Sequence, residues 1–226
     1  MTGGSETLAA ILFAEGQTQA ALECVRETYR QAVDFHLPWA AGQAEALAAC
    51  FSLRLGELQA AQRWAQQVQL SLQGGFNIDQ GFEYSTLARL LLAEHRLEDG
   101  RALLASQLQT AQGAGRFTTE LQCCILLALF EQQSGCKDEA RRFTARALQM
   151  AAQQDYLRMF LDEGAEVRVL LTEFRLNIAD AGLENSDIKM TVEKFTGVLL
   201  AAFDQPSTAS TVTGHSKIKN LQSSSP

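Results

Sequence analysis

Proline is nearly missing from this sequence: three in 226 residues, at positions 38, 206 and 226. From Ala40 to Asp204 no proline ring removes a backbone N–H or clashes with a preceding turn, so helices can run freely there. Runs of β-branched residues are missing too, which leaves strands little support. No apolar stretch reaches the roughly 18 residues that a membrane span requires. No secretory leader is recognisable, and the expected location is cytoplasmic. Positive charge is in deficit, with a net charge of −7. An acidic surface repels phosphate, so direct contact of this segment with nucleic acid is not expected. The five cysteines, Cys24, Cys50, Cys123, Cys124 and Cys136, are odd in number and form no CxxC. They read as reduced residues of a cytosolic core. None of the three histidines, His36, His95 and His215, has a partner at HxxxH spacing, so no metal site is expected. No Ser–His–Asp or Cys–His set with a supporting motif occurs, and no GxxxxGK[ST] phosphate loop, so neither catalysis nor a cofactor is expected.

Alanine, leucine, glutamine and glutamate fill the chain instead. All are good helix formers, and 46% apolar residues suffice for a sizeable core. Glycine marks a period: Gly16, Gly56, then His95 in the same slot, then Gly135, at steps of 40, 39 and 40. Seven residues before each slot stands Ala9, Ala49, Ala88 or Ala128. Five before it stands a large apolar residue, Ile11, Phe51, Leu90 or Phe130. Five after it stands a small one, Ala21, Ala61, Gly100 or Ala140. Such a register describes a stacked helical hairpin. The slot is the left-handed turn between helices A and B. The small residues twelve apart are expected where the two helices cross, and the large ones between neighbouring hairpins.

The predicted fold is therefore all-α, an α-α superhelix (tetratricopeptide-like solenoid) of about four helix hairpins plus two C-terminal helices. Helices A and B are expected at 5–15 and 17–35, 39–55 and 57–73, 79–94 and 97–113, and 117–134 and 136–153. Breaks fall at His36–Pro38, at Gly74–Gly75 with Asn77, and at Gly113–Gly115. Three regions follow: the repeat array at 1–155, helices near 164–180 and 187–203 closing it within 156–204, and a Ser/Thr-rich linker or tail at 205–226. The opening Met-Thr-Gly-Gly-Ser reads as a cut edge rather than a natural cap.

Three segments carry a family resemblance. Leu91–Gly100 (LLAEHRLEDG) resembles the LLAQGRLDEA pattern in the sensor region of large MalT-like, LuxR-type bacterial transcription activators. Tyr156–Gly164 (YLRMFLDEG) resembles that family's GYVRTFLDEG, which closes its repeat array, and Phe195–Phe203 (FTGVLLAAF) is similar to YVRRLLAAF before its linker. The resemblance covers 5–203 and implies signal reception: a small-molecule inducer or a regulatory protein in the concave groove, with self-association of the array as a further expectation. The family's nucleotide-switch domain and helix-turn-helix are not carried over, because their motifs are not among these residues. Two readings stay open, a sensor segment of a longer regulator and a stand-alone tetratricopeptide scaffold for protein–protein interaction.

Helix A lines the concave face of such arrays. Gln43, Arg54, Phe82, Arg89, Gln122, Gln132 and Gln133 are the expected groove residues, offering hydrogen bonds and a stacking surface to a polar ligand or peptide. Arg54 and Arg89, one repeat apart, are the pair suited to an anion. Asp162 and Glu163 are expected to favour the start of a helix by its dipole. Trp39 and Trp64 are expected to pack at helix-pair contacts. Cys123 and Cys124 point about 100° apart on a helix and are not expected to bridge.

Overall fold

A computed structural model describes residues 2–68, 70, 78–154, 156–183 and 185–204. The expected break at Gly74–Gly75 and Asn77, His215 and the tail at 205–226 lie outside the described residues. Among those described there are eleven α-helices, two short 3-10 turns and no strand. Four hairpins come first: α1 (Thr2–Ala14) with α2 (Thr18–Asp34), α3 (Pro38–Arg54) with α4 (Leu58–Val68), α5 (Gly81–Ala93) with α6 (Leu97–Gly113), and α7 (Phe117–Gln133) with α8 (Lys137–Ala152). A four-residue helix α9 (Arg158–Leu161), α10 (Ala165–Leu176) and α11 (Ser186–Asp204) follow. This is the all-α, tetratricopeptide-like superhelix, with α9 as an element the periodicity does not reveal.

The turns form where the backbone can go left-handed. Gly16, Gly56 and Gly135 have φ of 75°, 78° and 78°, and His95 takes the same slot at 56°. Each lets the next residue's N–H reach back to a carbonyl five residues earlier: Gln17 to Leu12 at 2.9 Å, Glu57 to Ser52 at 2.8 Å, Arg96 to Leu91 at 2.9 Å and Cys136 to Glu131 at 2.9 Å. These bonds satisfy carbonyls that a helix end leaves open. The turns from the first hairpin to the second and from the third to the fourth use the same device, with His36 at φ 55° and Gly115 at 64°.

The register residues are buried, with instructive exceptions. Ala9, Ala21, Ala49, Ala61, Ala88, Ala128 and Ala140 all lie in the core, as do Phe51, Leu90 and Phe130. Gly100 shows what the small position on helix B is for. A Cβ there would stand 2.1 Å from Cε1 and Cζ of Phe130, so the small residue makes room for the large residue of the next helix A. Ile11 breaks the pattern at 48% exposure. Among the described residues no hairpin precedes α1 to cover that position. Trp64 is buried as expected, but Trp39 is 57% exposed at the first turn of α3. Cys50, Cys123 and Cys124 are core residues, whereas Cys136 is exposed because it stands in the turn before α8.

The apolar interior divides in two. A small cluster joins α1, α2 and α3 through Ala9, Ala21, Val25, Ala44, Leu47 and Phe51. The main core runs from Ala46 and Ala49 of α3 to Leu199 of α11. Its C-terminal part is built by α10 on α7 and α8, and by α11 on α8 and α9. Phe160 of α9 meets Phe195 of α11 edge-on at 6.3 Å. That anchor brings the α9–α10 junction back against the A helices of the second, third and fourth hairpins. Among the described residues no helix is long and apolar enough to cross a membrane.

Candidate functional site

The A helices and the α9–α10 junction enclose a groove of about 740 Å³. Arg54 ends α3, Arg89 sits in the penultimate turn of α5, and Gln133 ends α7; all three line it. Phe13, His95 and residues 162–166 complete the walls. Helix A ends of successive hairpins lie side by side in a stacked array. Residues 54, 93 and 133, each two before its slot, therefore come together.

The two arginines are not free. Arg89 is 16% exposed and Glu163 6%, and the pair is bidentate. Arg89 Nε donates to both carboxylate oxygens, at 3.2 and 3.0 Å, and Nη2 donates to Oε1 at 2.5 Å. Gln122 Nε2 donates to the same Oε1 at 2.8 Å. Burial works against the Arg89 charge, but Glu163, Cys50 and Asp162 together outweigh it and hold the guanidinium pKa above its ordinary value. Arg54 is looser. Its Nη1 lies 3.9 Å from Asp162 Oδ1, and its guanidinium lies 4.7 Å above the Phe13 ring centroid. Asp162 is held more closely by Arg158, at 2.7 Å. Burial pushes the Asp162 carboxyl up, with Arg158 and Arg54 opposing. Cys50 is buried beneath this network, and burial raises its thiol pKa.

This revises the expected role of Asp162 and Glu163. Gly164, at φ 79° and ψ −152°, is the N-cap residue of α10, and no side chain caps the helix. The carboxylates line the groove, where buried Arg89 pairs with Glu163 and the more exposed Arg54 and Arg158 flank Asp162.

Of the seven groove residues read from the sequence, Arg54, Arg89 and Gln133 converge, and Gln122 joins them through Glu163. Gln132 faces a separate cavity of about 310 Å³ and donates to Glu173 of α10 at 3.4 Å. Phe82 packs against both apolar clusters. Gln43 is half-buried on α3 and does not line the groove. One feature had no signal in the sequence. Glu83 of α5 is 6% exposed. Burial pushes its carboxyl above the ordinary range, against a bond from its own backbone. Burial, and then Glu83, do the same to Glu6 of α1. An acidic residue on an alanine-rich helix does not reveal from spacing that it points inward.

Residues 3–177, all four hairpins with α9 and α10, match the family described as the MalT-like TPR region. The match stops short of the Phe195–Phe203 segment. No curated protein and no solved structure matches the chain. With the register of small residues, the positive-φ turns and the groove on the helix A side, that match decides the kinship: the chain belongs to the family of MalT-like TPR regions.

Proposed function

We propose that this domain receives a signal by binding a small polar molecule in the groove between Arg54, Arg89 and Gln133, as a cytoplasmic part of a LuxR-type, MalT-like regulator. The observation that supports this best is the groove itself. It is concave, about 740 Å³ in volume, and holds charged and polar side chains drawn from three successive hairpins and the closing segment. That volume is in the range of small-molecule sites, which are concave and carry few convergent polar groups. The reading is binding rather than catalysis.

The experiment is thermal unfolding of the protein against a metabolite and sugar library. A ligand at 100 times its dissociation constant that binds only the folded state adds about 2.7 kcal/mol. The expected result is a saturable shift that Arg54→Ala weakens. Arg54 is chosen because its side chain is 31% exposed, so truncation spares the core. A complete absence of shifts would sink this reading.

The second reading, a stand-alone scaffold docking an apolar helix of a regulatory protein, draws on a different place. Tyr29, Val33, Phe35 and Trp39 are exposed together about the α2–α3 turn, Phe35 at 73%. A partner whose binding Phe35→Ser abolishes and Arg54→Ala leaves intact would favour it.

A further inference from the structure

The groove's charges are already matched from within. Arg89 and Gln122 together hold the Glu163 carboxylate, and Arg54 with Arg158 flanks Asp162. Both carboxylates belong to one short connection, between α9 and α10, and Glu163 is 74 residues from Arg89 in sequence. We propose that this connection stands in for the acid group of a ligand: a small molecule bearing a carboxylate or phosphate takes Arg89 and Gln122 from Glu163 and thereby releases the α9–α10 segment from the array. The proposal rests on the reading of the groove as a receiving site and deepens it by naming the ligand class and the response.

The argument is one of charge exchange. Withdrawing Glu163 by itself leaves the Arg89 cation buried without a counter-charge, so the closed state dominates at rest. A neutral ligand cannot replace what is lost. A carboxylate or phosphate can, because it presents two oxygens to the same planar fork and an acceptor to Gln122. The ligand therefore distinguishes the two states strongly. In the closed state it meets Asp162 and Glu163 and is repelled; in the open state it meets the arginines. Such differential affinity is what shifts a population.

The surroundings fit that exchange. Arg54 is the least committed cation, paired only at 3.9 Å and partly exposed at the groove, so it can meet an incoming anion first. Glu166 is the further carboxylate on the wall, and it is exposed, where solvent screens it. The segment that would move carries a consequence. α10 packs on α7, α8 and α11, so displacing residues 162–164 tilts the helices that close the array.

The test uses the full chain, with succinate and inorganic phosphate as probes, dimethyl succinate as the neutral control, and sodium chloride to hold ionic strength. Glu163→Gln keeps the side-chain shape but removes the competing charge. Calorimetric titration is expected to show at least tenfold tighter binding of succinate or phosphate to this variant than to the wild type, and no gain for dimethyl succinate. In the wild type, saturating anion is expected to speed backbone hydrogen exchange across 157–176 while leaving α5 and α7 unchanged. Binding of anions that is equal in both proteins, or slower exchange across 157–176, overturns the proposal. So does no binding of either anion to either protein. If Glu163→Gln does not fold, the wild-type exchange measurement decides alone. A neutral metabolite that binds the groove and leaves the Arg89–Glu163 pair shut would overturn the exchange while keeping the receiving site.

Discussion

Adding one methyl group at Gly100 tests the packing logic of the whole array. The Cβ of Gly100→Ala would lie 2.1 Å from two ring carbons of Phe130, where relaxed carbon contacts sit at about 3.5–4.0 Å. The ring must retreat by roughly 1.5 Å to restore such a contact. It has no room to do so, being 0% exposed among Leu and Ala neighbours. Overpacking a filled core costs about 1–3 kcal/mol, and an overlap this deep belongs at the upper end. Alanine returns about 1 kcal/mol as a better helix former than glycine. The net is a loss of about 2 kcal/mol, which lowers Tm by roughly 4–8 °C for a chain of this length. Circular dichroism in heat and in urea measures it. Gly197→Ala in α11 is the control: nothing lies within 4 Å of its Cβ position, so only the helix gain of about 1 kcal/mol remains. A double-mutant cycle with Phe130→Leu should show a coupling of about 0.5–3 kcal/mol, because the leucine vacates the overlap. If Gly100→Ala unfolds at or above the wild-type midpoint, the assignment of small B-helix residues to the next hairpin's large residue is refuted.

Removing one member of the buried ion pair should be far worse than removing both. Arg89→Met strands Glu163 and costs about 3–5 kcal/mol in urea unfolding, while Arg89→Met with Glu163→Met recovers most of it. Alkylation by iodoacetamide at pH 8, read by mass spectrometry, should label Cys136 in the native protein. Cys124, pushed up to about 11 by burial, and Cys50 and Cys123, raised by the same cause, should label only after unfolding. Glu83 holds its proton longer in the folded protein than the ordinary 4.5 would allow. Its contribution to stability therefore falls as pH rises from 4.5 through its raised value. Glu83→Gln should be more stable than wild type at pH 7, and that advantage should shrink at pH 4.

The hairpins were readable because each is written three or four times. A glycine in one place could serve anything, but Gly16, Gly56 and Gly135 in step with alanines seven residues before them leave one helical register. Even His95, the departure, was placed correctly by its neighbours. The α9 helix escaped because four residues are too few to show a period. Arg54 and Gln133 share one register position, two before the slot, so their meeting in the groove follows from the repeat, whereas Arg89, six before its slot, reaches the groove from a turn further back. The partner of Arg89 was not legible. That Glu163 folds back onto Arg89 depends on the φ of Gly164 and on Phe160 anchoring α9 to α11, and no spacing encodes a contact 74 residues long. Trp39 departs from the packing that its size suggests, because size alone does not say which way the first turn of α3 faces, and there the side chain is 57% exposed.

Helix α3 faces two ways. Ala44, Leu47 and Phe51 belong to the first cluster, while Ala46 and Ala49 belong to the main one. A wall shared by two rooms lets one be emptied without bringing down the other. The α1–α2 hairpin can thus open as a unit of its own, at a free energy below that of global unfolding, as cooperative subunits of repeat arrays do. Amides of α2 should then exchange together, ahead of those in α7. The superhelix would keep the Arg89–Glu163 side of its groove while its first hairpin, and with it the Phe13 wall beneath Arg54, comes and goes.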